Sequence, residues 1–177
     1  MPTIAVALAA LAQADCPVLI IGGNALEAYG YARFTMDVDC LVTTSSIERL
    51  KAVLVQHGFQ HAGRMSSFHE FWFDGKPGGM PIHAMFVNDE TFEKMWARRG
   101  PMNSAGALLH VPCVAHLIAL KLHAVKNNPK RMLKDMADVR ELLERNAGAV
   151  TKEELVGICE RYASQEAISV LKQEGHL

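Results

Sequence analysis

The sequence predicts an α/β (α+β) protein: a mixed β-sheet flanked by helices, with a helical C-terminal part. Three observations lead there. Runs of strand length, apolar or alternating, sit at 18–21, 59–64, 68–73 and 80–87, with another across the segment that ends at Val42. Helical periodicity with capping residues occupies 47–56 and most of the chain beyond residue 88. Gly22-Gly23 joins the first strand to a helix, and two glycines there permit torsions closed to other residues and close approach of another group. The change of pattern near residue 88 divides the chain into a core, 1–88, and a helical subdomain, 89–177.

The elements follow in order. Residues 1–14 are apolar with no basic segment, so they read as an amphipathic first helix, Ile4, Leu8, Leu11 and Val6 inward, and not as a signal peptide. Residues 18–21 are fully apolar, the pattern of a buried strand. Asn24 caps a helix over 25–29, which Gly30 closes. Asp37 and Asp39 are two apart in a strand and share one face; Val38, Cys40 and Val42 leave the opposite face into a core. Ser45 and Glu48 form a capping box for a helix over 47–56, with Leu50, Val53 and Leu54 inward and His57-Gly58 at its end, His57 as a cap. Strands 59–64 and 68–73 are joined by a short turn. Residues 74–79, Asp-Gly-Lys-Pro-Gly-Gly, form another turn before strand 80–87.

Asn88 caps a helix with Phe92, Met95 and Trp96 on its apolar side, broken at Gly100-Pro101. After a brief apolar piece at 108–111 come four helices. The first, 113–126, has Leu117, Leu120 and Ala124 on one face. The second, 131–145, turns Met132, Met136, Val139 and Leu143 inward. Thr151 and Glu154 cap the third, which runs to 162, and the last covers 166–173.

The 177 residues are 50% hydrophobic, enough for one domain or a core plus a helical extension. No apolar run reaches the length of a membrane span, so cytoplasmic location follows by default and no membrane partner is expected. Cys16, Cys40, Cys113 and Cys159 lack metal-ligand spacing, and Cys40 and Cys113 read as buried free thiols. A net charge of -1 argues against broad nucleic-acid binding. Residues 1–90 hold 5 Lys/Arg against 9 Asp/Glu, net -4, and the rest hold 13 against 10, net +3. An acidic half facing a basic half suits a bound triphosphate.

The chemistry concentrates between Val18 and Val42. Two neighbouring carboxylates are costly to keep ionised without a cation. Magnesium, or manganese in its place, takes one or two carboxylates together with substrate phosphates. Gly-Gly opening a helix offers backbone N–H groups to an anion. A phosphate cradle beside a carboxylate pair points to phosphoryl or nucleotidyl transfer.

The order Gly22-Gly23-x-Ala25-Leu26, Gly30, Arg33-x-Thr35-x-Asp37-x-Asp39 resembles the nucleotidyltransferase superfamily related to DNA polymerase beta, in particular AbiEii-type and related uncharacterised prokaryotic proteins. The resemblance covers about residues 18–145. It implies a nucleotidyltransferase-like mixed sheet and a metal-dependent transfer of a nucleoside monophosphate from a nucleoside triphosphate. Asp37 and Asp39 would hold the metal. Gly22, Gly23, Asn24, Arg33 and Thr35 would line the nucleotide site. The helix Leu-x-x-x-Lys121 and the following Arg131-x-x-Lys134-Asp135-x-x-Asp138 match the family's later helices, so Lys121 and Lys134 are candidates to hold phosphates. The alternative is two surface ion pairs, Arg131–Asp135 and Lys134–Asp138. The acceptor is RNA, a protein or a small molecule. A toxin-type role with an antitoxin partner follows by analogy.

The family usually carries a third acid on a later strand. Here His83 stands at that place, in 81–87. It would pair as a cation with the aspartates, bind a transition metal, or accept a proton from an attacking hydroxyl. Glu70 and Asp74, on or near an adjacent strand, are alternative replacements for the acid. Replacement of the acid also raises a second expectation, a nucleotide-binding pseudoenzyme or sensor. A third, a structural protein with a solvated Asp pair, fits the motif order least.

Overall fold

The computed structural model describes residues 4–65, 68–74, 80–104 and 106–177. Of the turn expected over 74–79, residues 75–79 lie outside these. By packing, the chain forms two compact units: Met1–Ala28 with Ala32–Pro112, and Tyr29–Tyr31 with Cys113–Leu177.

In the first unit, five strands form one sheet: β1 (Leu19–Ile21), β2 (Val38–Thr43), β3 (Phe59–Arg64), β4 (Phe68–Phe73) and β5 (Ile82–Val87), in the order β1-β2-β5-β4-β3. β2 and β5 run parallel; the other neighbours are antiparallel. The helices are α1 (Ile4–Ala12), α2 (Gly22–Ala25), α3 (Ile47–Gln56) and α4 (Asp89–Ala97), with the 3-10 turn Leu26–Tyr29 continuing α2. Val38, Cys40 and Val42 are fully buried, as the alternation predicts, and burial pushes the Cys40 thiol pKa up. β1 is an edge strand, buried along its whole length because α2 and the later strand β7 (Ala107–Val111) pack against it.

Several local expectations change. α1 buries Ala7, Leu8, Ala10 and Leu11; Val6 is exposed and Ile4 half-buried. Asn24 is not a cap: α2 begins at Gly22, with Ile21 before it, and the Asn24 side chain turns elsewhere. The capping box at Ser45 does not form, because a 3-10 turn over Thr44–Ser46 leads into α3 and Ser46 precedes the helix without a side-chain cap bond. His57 does cap α3, its Nδ1–H donating to the Val53 carbonyl at 2.9 Å. Asn88 accepts from the Thr91 N–H at 2.8 Å, the anticipated cap of α4. The region after residue 88 is not all helical. Gly100-Pro101 ends α4 but also opens β6 (Gly100–Ser104), which pairs with β7 (Ala107–Val111).

The second unit holds α5 (Val114–Asn127), α6 (Met132–Arg145), α7 (Lys152–Tyr162) and α8 (Gln165–Gln173). Thr151 accepts from the Glu154 N–H at 3.1 Å and starts α7 as expected. The buried stripe of α5 is Val114, Ala115, Leu117, Ile118, Lys121, Leu122 and Val125, rotated from the one expected; Leu120 and Ala124 are half-buried. In α6, Met136 and Val139 are buried as expected, Leu142 replaces Leu143, and Asp135 and Asp138 share the buried face. Cys113 is only half-buried. Gly30 takes φ +81, a left-handed turn that suits glycine. Beside it, Asn146 Nδ2 donates to the Tyr29 carbonyl at 3.1 Å. Among the described residues no helix is long and apolar enough to cross a membrane.

Candidate active site

Three neighbouring strands build the acidic cluster. The parallel register of β2 and β5 sets Asp39 beside His83, and the antiparallel register of β4 and β5 sets Glu70 on the other side of His83. Directly paired residues share a face of the sheet, so the three form a row across it. His83 Nδ1 lies 3.2 Å from Asp39 Oδ1 and 3.9 Å from Asp37 Oδ2, and its Nε2 lies 3.3 Å from Glu70 Oε1. The Phe68 ring packs against the imidazole, centroids 4.9 Å apart. Asp37 sits just before β2, yet its carboxylate reaches the side that Asp39 occupies, as the two-residue spacing predicts.

One ligand atom from each of Asp37, Asp39 and His83 lies within 4.8 Å of the others, and all three residues are half-buried. This donor set fits a divalent cation. The Asp39 hydrogen bond holds the His83 pKa above the ordinary histidine value, against the opposing effect of burial; Glu70 and Asp37 act in the same direction as Asp39.

The glycine turn closes on this cluster. Gly22 has φ +67, and a β-carbon there would overlap Asp39 Oδ2 and stand 2.9 Å from its Cγ. A β-carbon on Gly23 would meet Arg33 Nη1 at 3.0 Å and Thr35 Cβ at 3.1 Å. Asn24 Nδ2 donates to the Asp37 carbonyl at 2.9 Å, and Thr35 Oγ1 donates to Asp37 Oδ1 at 2.5 Å. The motif order therefore has a local cause. Each glycine makes room for a later motif residue, and Asn24 and Thr35 fix the aspartate that follows. A cavity of about 230 Å³ opens beside the turn, lined by Gly23, Asn24, Glu27, Arg33, Phe34 and Thr35 among others. Gly22→Ala is expected to cost about 1–3 kcal/mol of stability through the left-handed torsion. It should also weaken divalent-ion binding by displacing Asp39. Denaturant unfolding and calorimetry check both, and a parent-like variant contradicts the close approach.

Lys121 belongs to the second unit, where carboxylates, not an open cleft, receive it. Its Nζ donates to Asp138 Oδ2 at 2.6 Å and Asp135 Oδ1 at 3.1 Å, with side chains 6%, 1% and 0% exposed for Lys121, Asp138 and Asp135. Asp135 also accepts from Arg131 Nε at 2.6 Å, the anticipated i, i+4 pair. Lys134 is exposed. Asp74 follows β4, exposed, with φ +51. Glu70 was legible as a candidate acid, but its grip on His83 depends on the β4–β5 register, which only alternation across 68–73 and 82–87 hints at.

A mixed sheet with an Asp-x-Asp strand and a Gly-Gly turn packed against it defines a nucleotidyltransferase-type fold. The chain belongs to the family described as uncharacterised nucleotidyltransferases, which matches residues 4–171. No curated protein matches the chain in sequence. Among solved structures, ANT(2″)-Ia in complex with adenylyl-2″-tobramycin is similar with a TM-score of 0.68 at 17% identity, covering 91% of this chain and 100% of that one. An antigenic nucleotidyltransferase-like protein from Paracoccidioides brasiliensis gives 0.55 at 15% identity, covering 95% and 92%. The lincosamide adenylyltransferase LnuA, lincomycin-bound, gives 0.51 at 15% identity, covering 77% and 91%. At these identities the likeness is one of fold.

Proposed function

We propose that this protein transfers a nucleoside monophosphate from a nucleoside triphosphate to a hydroxyl group of a small molecule. The observation that carries the reading is the convergence of Asp37, Asp39 and His83 donor atoms within 4.8 Å. Family membership supports the transfer, and the adenylylated tobramycin and lincomycin held by structural neighbours support a small polar acceptor ahead of RNA or protein. Asp37 and Asp39 would hold a divalent ion, magnesium or manganese, which when bound neutralises phosphate charge. Gly22, Gly23 and Asn24 form the turn on which the phosphates would lie, with Arg33 and Thr35 beside it.

In the reaction the acceptor oxygen bonds to the α-phosphorus and the bond from that phosphorus to the bridging oxygen breaks. Pyrophosphate leaves, and the hydroxyl proton passes to a carboxylate of the cluster. The AbiEii-like, toxin-type form with an antitoxin partner is a narrower version of this proposal. Cytoplasmic action is the setting it assumes.

The engagement of both His83 nitrogens by carboxylates favours a second reading, a module that binds nucleotide without transferring it. One experiment separates the two. The protein is mixed with each nucleoside triphosphate, magnesium or manganese, and an aminoglycoside or lincosamide, and pyrophosphate release and the thermal midpoint are followed. Acceptor-dependent pyrophosphate supports transfer. Stabilisation by triphosphate without turnover favours the binding module, and no response to any triphosphate overturns both.

A further inference from the structure

We infer that His83 is itself a ligand of the cation centre, that Glu70 is its positioning residue, and that the site therefore takes a transition divalent ion in preference to magnesium. This rests on the reading of Asp37 and Asp39 as cation ligands and deepens it. The first support is spacing. Ligands about 2.1 Å from an octahedral ion lie roughly 3 Å apart when adjacent and roughly 4.2 Å apart when opposite. His83 Nδ1 stands 3.2 Å from Asp39 Oδ1 and 3.9 Å from Asp37 Oδ2. Nδ1 thus occupies a ligand position of the same shell as the carboxylate oxygens.

The second support is Glu70. A metal-bound histidine almost always donates its other ring N–H to a carboxylate or carbonyl, which fixes the tautomer and makes the ligating nitrogen more basic. His83 Nε2 faces Glu70 Oε1 at 3.3 Å, so its N–H stays committed there, and a cation that displaces the proton Nδ1 shares with Asp39 gains the Nδ1 lone pair. Phe68, packed at a tilt against the ring, restrains it from turning away. Both relations are set by strand register, because His83 is the direct partner of Asp39 on one side and of Glu70 on the other.

The consequence is selectivity. Magnesium demands oxygen ligands at close to octahedral geometry and loses its water reluctantly, whereas manganese, cobalt and zinc accept imidazole readily. A nitrogen where an oxygen would serve magnesium better favours the transition ions, and Glu70 reinforces the bias.

The test uses the full chain and metal alone. Manganese and magnesium are titrated by calorimetry into the parent, His83→Asp and Glu70→Ala, each first shown to unfold cooperatively. Pulsed electron paramagnetic resonance of bound manganese then reads coupling to ring nitrogen. The inference expects nitrogen coupling in the parent and its loss in His83→Asp. It also expects the preference for manganese over magnesium to fall about 10–100-fold in His83→Asp, and manganese to weaken about 10–100-fold in Glu70→Ala with magnesium little changed. Should His83→Asp not fold, the parent spectrum and Glu70→Ala decide alone. Bound manganese without nitrogen coupling, or an unchanged preference in the variants, overturns the inference and leaves nucleotidyl transfer intact. Absence of any divalent binding to the parent, with or without a triphosphate, overturns the inference and the metal-dependent reading together.

Discussion

Lys121→Met is expected to lower the unfolding free energy by about 3–5 kcal/mol, the usual cost of breaking a buried ion pair from one side. For a chain of this size that is a fall of about 6–20 °C in the thermal midpoint. The reason is the arrangement in the second unit, where one ammonium stands between two carboxylates, all almost fully buried. Methionine fills the space but supplies no charge, so Asp135 and Asp138 face each other without the cation between them. Arg131 still reaches Asp135. Lys121→Met combined with Asp138→Leu should recover part of the loss, since replacing a buried pair by apolar groups is often close to neutral. Denaturant titration of both variants measures this, and a loss below about 1 kcal/mol for the single variant contradicts it. The same variant tests the resemblance-based reading of Lys121 as a phosphate ligand. If its role is the one its contacts describe, the ratio of triphosphate to nucleoside affinity stays at the parental value wherever the variant is folded.

What the sequence made legible followed from how local each signal is. Asp37 and Asp39 declared a shared face through a two-residue period, and Val38, Cys40 and Val42 confirmed it by burial. Asn88 and Thr151 acted as caps because their partners lie three residues on. Asn24 looked the same but was not a cap, because a carbonyl 13 residues away competes for its side chain. Gly100-Pro101 read only as a helix breaker. Its second role, opening β6, depends on pairing with residues 107–111, to which no local pattern points. The face of α5 expected from Leu117, Leu120 and Ala124 is rotated, because an almost wholly apolar helix leaves its inward side undefined by periodicity. Lys121 faces inward since two aspartates of α6 wait there. The Gly22-Gly23 turn was recognised, but its tightness against Asp39, Arg33 and Thr35 is a matter of packing. Of the cluster, the Asp pair and His83 were anticipated, whereas the contact of Glu70 with His83 needed the strand register.

If the proposed function holds, Asp39→Asn is expected to abolish divalent-dependent nucleotide binding and to reduce transfer by at least about a hundred-fold, because even an outer-shell partner of a metal site is worth 10–100-fold and the proposal puts Asp39 in the inner set. The substitution keeps the shape that Gly22 packs against, removes the negative charge and exchanges one carboxylate oxygen for an NH2 group that cannot ligate. It also leaves only a neutral acceptor in the principal hydrogen bond that holds the His83 pKa above the ordinary histidine value. That bond has a signed effect on stability when chelator keeps the site metal-free. A raised folded-state pKa contributes stability that is complete below the unfolded histidine value and disappears as pH rises through the folded value. Parental stability should therefore fall across that window, and Asp39→Asn should show a shallower fall over the same window. Thermal midpoints from mildly acidic to mildly alkaline pH, together with magnesium and manganese titrations in the presence of triphosphate, read both effects. A variant that binds nucleotide with the parent's dependence on divalent ion removes Asp39 from the cation site. One that reproduces the parent's pH profile removes the Asp39–His83 hydrogen bond as the cause of the raised pKa.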